Sequence, residues 1–210
     1  MSENRQLQIA VLISGGGSNL EAILQAVEQG RITDAIVRVV LSSRADAGGV
    51  ERARRHHVEA VVIDPRSFAQ ESAFDAAMLQ ALQDRQIDVI CLAGYLKKIG
   101  PKVLERFGGR ILNIHPALLP KFGGPGMYGE RVHEAVLRSG ETESGCTIHL
   151  VDEEYDRGPI LAQARVPVLS GDTPHSLAER VLEQEHQVYP RAIEEFCRQL
   201  RMSWEKKGTL

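Results

Sequence analysis

Short apolar runs alternate with amphipathic stripes over the first 115 residues, and this alternation restricts the fold more than any other feature. The runs are Ile9 to Ile13, Ile36 to Leu41, Ala60 to Ile63, Asp88 to Ala93 and the segment ending Leu112-Asn113-Ile114-His115. Between them lie helical patterns: Leu20, Ile23, Leu24 and Val27 on one stripe, then Gly48 to His56, then Glu71 to Gln86 with Phe74, Met78 and Leu82 aligned, and a short helix from Pro101. Strands that are apolar throughout are buried on both faces, and strands alternating with helices form a parallel sheet covered on both sides.

After Pro116 the pattern changes. A loop rich in glycine, Gly123 to Gly129, precedes a helix near Arg131 to Ser139, and two β-like runs follow, Cys146 to Val151 and Ile160 to Val168. These two read as antiparallel additions to the sheet. Thr173 then caps a helix whose first residue is Pro174, with its apolar stripe through Ala178, Val181, Leu182, Tyr189, Ile193 and Phe196 and a kink expected at Pro190. The expected fold is an open, mostly parallel, doubly wound α/β sheet with antiparallel C-terminal strands. The 210 residues suit one domain, with an N-terminal lobe over 1–109, a C-terminal lobe over 110–200 and a polar, frayed tail over 201–210.

Three places carry chemistry. Ser14-Gly15-Gly16-Gly17-Ser18-Asn19 joins the first strand to the first helix, so its backbone N–H groups and the helix N-terminus face outward together and suit an anion. Leu20 stands where a dinucleotide fingerprint needs glycine, and Leu41-Ser42-Ser43-Arg44 supplies no acid after the second strand. NAD is therefore disfavoured, Arg44 leaves an opening for NADP, and a phosphomonoester with Ser18 and Asn19 as extra donors fits best. The alternative is a tight turn that binds nothing.

Asn113 and His115 are two apart on one strand, so they share a face at the carboxyl end of a parallel strand, where open α/β sheets place ligands. An amide donor beside an imidazole suits acyl transfer. Four acids, Asp152, Glu153, Glu154 and Asp156, occupy the turn before Gly158-Pro159, and any of them could orient that imidazole. His149 shares its strand face with Thr147 and Val151 and reads either as a core or rim histidine or as a further member of the site, and His56-His57 reads as solvated. Glu185 sits within the apolar stripe of the last helix, three after Leu182 and four before Tyr189. A carboxylate there needs a cation or several donors; it either forms an internal ion pair or grips a cationic or hydroxylated ligand.

Composition removes other classes. A net charge of −3, with basic residues spread along the chain, gives no reason to expect nucleic acid. No apolar run approaches the ~20 residues that span a bilayer, and the polar start from Met1 to Gln8 lacks an apolar core for a signal peptide. Cys91, Cys146 and Cys197 are scattered and read as buried thiols in a reducing cytoplasm. No His/Cys/Asp spacing suggests a metal site.

Taken together, the segments IAVLISGGGSN, LSSRADAGGVERAR, DVICLAGYLKKIG, GGRILNIHPALLPKF, GCTIHLVDEEYDRGPILAQA and VLEQEHQVYP resemble the phosphoribosylglycinamide formyltransferase family, folate-dependent enzymes of purine synthesis with a Rossmann-like fold. The resemblance runs from about Gln8 to Phe196. It implies transfer of a formyl group from 10-formyltetrahydrofolate, a consumed cosubstrate and not a tightly bound cofactor, to the amine of glycinamide ribonucleotide. It implies Asn113, His115 and Asp156 as the catalytic set, Gly15, Gly16, Gly17, Ser18, Asn19 and Glu185 as ribonucleotide contacts, and Leu96, Lys97, Lys98, Ile99, Asn113, Val151, Asp152 and Asp156 as the folate pocket. Partners would be small molecules, and the chain a monomer or weak homodimer. Two positions depart from the family pattern: Leu182, where members often carry a basic or amide side chain near the substrate phosphate, and Glu71, where an arginine often contacts the folate. The loop carrying His133 is longer than in some relatives and would bring that histidine toward the site. Siblings that hydrolyse 10-formyltetrahydrofolate or formylate methionyl-tRNA, an NADP-dependent oxidoreductase and a noncatalytic phosphate-binding protein are the competing readings.

Overall fold

The computed structural model describes residues 5–207. Seven strands form one sheet in the order β3-β2-β1-β4-β5-β6-β7. They are β1 (Leu7–Ile13), β2 (Ala35–Ser42), β3 (Glu59–Val62), β4 (Val89–Leu92), β5 (Ile111–His115), β6 (Glu143–Leu150) and β7 (Ile160–Pro167). The pairings among β1 to β5 are parallel, whereas β6 runs antiparallel to β5 and to β7. The helices are α1 (Ser18–Glu28), α2 (Gly48–Arg55), α3 (Glu71–Asp84), α4 (Pro101–Phe107), α5 (Glu130–Ser139) and α6 (Pro174–Lys207).

Every element expected from the sequence is present within a few residues of its expected limits. The pleat of β1 shows why. Leu7, Ile9, Val11 and Ile13 belong to the core that α1, α2, α5 and α6 cover, while Ala10 and Leu12 join the core beneath α3 and α4. Successive side chains leave opposite faces, so a strand covered on both sides must be apolar at every position. Each such leucine or isoleucine contributes roughly 1.5–3 kcal/mol by leaving water.

Two expectations need correction. The tail was expected to fray from Arg201, but α6 continues to Lys207. Leu200 and Trp204 pack against the core, and the Arg201 guanidinium lies 2.9 Å from Asp34. Residues 208–210 of that tail, like the first four residues of the polar start, lie outside the described residues. His56 is not solvated: its ring nitrogens lie 2.6 Å from Glu28 and 3.0 Å from Glu21, which hold its pKa above the usual value, while His57 is exposed. The N-cap of α6 forms as expected, with Thr173 Oγ1 accepting the Ser176 N–H at 3.1 Å, and the helix passes through Pro190 without a break. All three cysteines are buried free thiols. Among the described residues no helix is long and apolar enough to cross a membrane.

The strand order reverses at β1, whose neighbours are β2 and β4. The crevice beyond the carboxyl ends of such strands is where doubly wound sheets hold ligands. Ser14 stitches its two walls together: its N–H donates to the Gly94 carbonyl, and its hydroxyl oxygen accepts the Leu96 N–H at 2.9 Å.

Candidate active site

A cavity of about 640 Å³ opens at this crevice. Its walls come from α1 (Ser18, Asn19), the segment after β4 (Leu96 to Ile99), β5 (Asn113, His115), the loop 124–130, β6 (His149), the turn after β6 (Val151 to Asp156) and one stripe of α6 that includes Leu182 and Glu185. Asn113, His115 and Asp156 therefore face one space together with Asn19 and Glu185.

Asn113 and His115 share the β5 face opposite Leu112 and Ile114, which enter the core under α6. Register then sets their neighbours. Asn113 pairs with His149 and His115 with Thr147 across the antiparallel β5–β6 ladder, so all four side chains lie on one face. This makes His149 part of the site. Its Nδ1 lies 2.9 Å from the Leu150 carbonyl, which can only accept, so that nitrogen carries the proton. Its Nε2 is then free to accept the Asn113 amide N–H at 3.0 Å. One N–H of Asn113 is thereby spent on aiming the amide, and the other remains for a ligand.

The same reasoning assigns the His115 tautomer. Nε2 lies 2.8 Å from the Phe122 carbonyl and must donate to it. Nδ1 is then the basic nitrogen, 3.6 Å from Asp156 Oδ2. That separation exceeds a direct hydrogen bond, so the Phe122 carbonyl fixes the ring and Asp156 stands ready to stabilise a proton arriving on Nδ1. Burial lowers the His115 pKa, outweighing the opposing effect of Asp156. Asp156 does favour the charged imidazole, but desolvation is the larger effect, and His115 rests neutral.

Asp156 is the one acid of its turn that points inward. Asp152, Glu153 and Glu154 are exposed at the cavity mouth, whereas Asp156 keeps 11% of its side chain accessible. Its Oδ2 accepts the Gly124 N–H at 2.8 Å, and its Oδ1 lies 3.4 Å from His149 Nε2. Burial pushes its pKa up, but the His149 and His115 rings, when they carry positive charge, and the Gly124 N–H more than offset this and leave it below the usual value. The local chain explains the inward aim. Asp156 has φ +56°, a left-handed conformation that aspartate tolerates better than most residues. Gly158 passes so close to the Leu150 carbonyl that a Cβ there would overlap it.

His133 of α5 is also on the wall, 4% exposed, with a buried Nδ1 that has no partner. Burial, then the proximity of His115, lowers its pKa to about 4, so it is neutral at physiological pH.

The other end of the cavity holds Asn19 and Glu185. Glu185 is 7% exposed, and among the described residues its carboxylate meets no cation; Asn19 Nδ2 donates to it at 2.6 Å. The internal ion pair considered from the sequence does not form. Burial raises the Glu185 pKa to about 7 against the smaller opposing effect of Asn19. Asn19 Oδ1 is buried without a partner. An acceptor and a half-ionised carboxyl side by side suit a ligand bearing hydroxyl or amine donors. Ser18 lines the cavity too, whereas Gly15, Gly16 and Gly17, which precede it in the chain, are not among the lining residues, Gly15 and Gly16 being exposed.

At the opposite mouth Leu96, Lys97 and Lys98 are exposed and Ile99 is buried. The Lys98 ammonium lies 5.7 Å from the Tyr155 ring centre. Leu182 lines the cavity, but Glu71, at the start of α3, does not.

Known proteins similar to this chain form a consistent set. Residues 7–193 match the family described as formyl transferase. The chain is similar to the chloroplastic phosphoribosylglycinamide formyltransferase of Arabidopsis thaliana, at 43% identity over 98% of this chain and 70% of that one. It is similar to the phosphoribosylglycinamide formyltransferase of Escherichia coli strain K12 at 40% identity, over 91% of this chain and 87% of that one. Among solved structures, glycinamide ribonucleotide transformylase 1 from Symbiobacterium toebii superposes with a TM-score of 0.87 at 47% identity, covering 92% of this chain and 88% of that one.

Proposed function

Since the chain belongs to the formyl transferase family and is a transferase enzyme, we propose that it moves a formyl group from 10-formyltetrahydrofolate to the amine of glycinamide ribonucleotide, in the cytoplasm, as a step of purine biosynthesis. The observation that carries this reading is the joint presence on one cavity of Asn113, His115 and Asp156 at its centre and Asn19 with Glu185 at one end.

The ribonucleotide lies toward the glycine turn, with its phosphate at the N-terminus of α1 and its hydroxyl or amine donors on Asn19 Oδ1 and Glu185. The folate lies between Leu96 to Ile99 and Val151 to Asp156. Attack of the amine on the formyl carbon makes a tetrahedral centre, and the free Asn113 N–H donates to the oxygen that gains charge. A donor placed for the transition state is worth ~10²–10³ in rate. Neutral His115 takes a proton from the attacking nitrogen on Nδ1 and delivers it to the departing N10 of the folate, worth ~10²–10⁴. While that proton resides on the ring, Asp156 is the counter-charge 3.6 Å away. The 10-formyltetrahydrofolate is consumed as a substrate.

Arg44, on which the NADP reading rests, is an exposed side chain paired with Asp46 through two hydrogen bonds at 2.9 and 2.6 Å. The deciding experiment follows absorbance of 10-formyltetrahydrofolate with and without glycinamide ribonucleotide. Deformylation that requires the acceptor is expected. Acceptor-independent deformylation would assign a hydrolase instead, and no turnover with either mixture would leave a binding protein.

A further inference from the structure

The glycine turn depends on α2 for its shape. Two carbonyls of the turn are drawn toward that helix: Gly15 O accepts the Gly49 N–H at 3.1 Å, and Gly16 O accepts Arg52 Nε–H at 2.8 Å. In a trans peptide the carbonyl of one residue and the N–H of the next point in opposite directions. Pulling the Gly15 and Gly16 carbonyls toward α2 therefore turns the N–H groups of Gly16 and Gly17 away from it. Among the described residues neither N–H donates to any backbone or side-chain acceptor.

The backbones meet closely enough to make this arrangement specific. A Cβ on Gly17 would come 2.7 Å from Gly49 Cα, and Gly17 has φ +75°, as the residue preceding the α1 helix. Arg52 is itself held, its second donor going to Glu21 of α1 at 3.0 Å. Next to the turn, Asn19 Oδ1 is an unpartnered acceptor on a side chain only 9% exposed, lining the cavity. That orphan is independent of the turn's own hydrogen bonds and marks this end as a place where a ligand completes the structure.

We propose that Arg52 is the positioning residue of the phosphate subsite: from behind the turn it holds the Gly16–Gly17 peptide so that its N–H faces the phosphate, and it touches no substrate itself. The cation also polarises the peptide it grips, which strengthens the N–H as a donor on the far side. This assignment rests on the reading above that the turn takes the phosphate of the ribonucleotide.

Steady-state kinetics of Arg52→Met and Arg52→Lys, with inorganic phosphate as competitor of the ribonucleotide, test it. Arg52→Met is expected to raise KM for the ribonucleotide and the inhibition constant of phosphate about tenfold each, the scale of one lost hydrogen bond to a charged group. KM for the folate and kcat should stay within about threefold, because Arg52 contacts neither His115 nor Asp156, which stand at the centre of the cavity. Arg52→Lys keeps a cationic donor for the Gly16 carbonyl and should recover most of the loss. Glu21→Gln removes the ion pair but leaves the Gly16 bond, so its ribonucleotide KM should stay near wild type. Equal phosphate inhibition of wild type and Arg52→Met overturns the role of Arg52 while leaving the cradle intact. Absence of competition by phosphate in the wild type overturns the cradle reading itself. If Arg52→Met does not fold, Arg52→Lys decides: a folded Lys variant with ribonucleotide KM raised about tenfold or more contradicts the proposal, and one near wild type supports it.

Discussion

Replacing Glu185 by glutamine separates what this carboxylate does for binding from what it does to stability. Its pKa rises from the ordinary 4.5 to about 7 in the folded chain because burial disfavours the charge, with Asn19 the one donor among the described residues that offsets it. A folded-state pKa above the unfolded one means that the native chain binds the extra proton. Stability attributable to this group is therefore fully present below about 4.5 and is lost as pH rises through about 7. At about 1.4 kcal/mol per pH unit, ionised Glu185 destabilises the native state by about 3 kcal/mol at pH 8, an order-of-magnitude figure. Glutamine has the same shape, accepts the same Asn19 N–H and carries no charge. Urea unfolding of wild type and Glu185→Gln at pH 5 and pH 8 is the assay. The variant should match wild type at pH 5 and exceed it by about 2–3 kcal/mol at pH 8, while its KM for the ribonucleotide rises. A carboxylate retained at that cost is retained for a ligand. Equal stability differences at both pH values would refute the reasoning, because the burial penalty would then be absent.

Other outcomes follow from the same geometry. Asp156→Asn should lower kcat about 10²-fold or more and move the acid limb of the pH–rate profile to lower pH, since removing the carboxylate lets burial depress the His115 pKa further; a limb moving upward would contradict the assignment. His149→Phe keeps a ring on the β6 face but frees the Asn113 amide, and should reduce kcat about tenfold with both KM values little changed, measured at saturating substrates. Gly123→Ala places a Cβ 2.6 Å from Leu119 Cδ2 and 3.0 Å from Asp156 Cβ, so it should loosen the Gly124–Asp156 bond and lower kcat without a large drop in melting temperature.

Much of the fold was legible because its strongest determinants are local. A strand buried on both faces, as β1 is, reads as uninterrupted apolar residues, and the glycine turn after it reads as itself. Asn113 and His115 could be paired from spacing alone. What escaped the sequence is non-local. His149 enters the site through the β5–β6 register, which neither strand encodes separately; knowing that Asn113 opposes residue 149 would have sufficed. The Phe122 carbonyl that sets the His115 tautomer is a backbone group, and no side-chain pattern announces it. Arg52 lies in a helix whose charged composition suggests only a solvated face, yet its guanidinium bonds to Gly16 of the glycine turn and to Glu21 of α1. The last turns of α6 looked polar because Leu200 and Trp204 are widely spaced among charges, and it is their contact with the core that keeps the helix wound.

A structure with glycinamide ribonucleotide and a non-transferring analogue of 10-formyltetrahydrofolate bound together would measure the central geometry directly. The formyl oxygen should lie about 3 Å from Asn113 Nδ2, and the ribonucleotide amine should approach the formyl carbon within reach of His115 Nδ1. An amine lying beyond about 5 Å from that nitrogen, on the far side of the imidazole from Asp156 and with Asn113 facing no ligand oxygen, would contradict it.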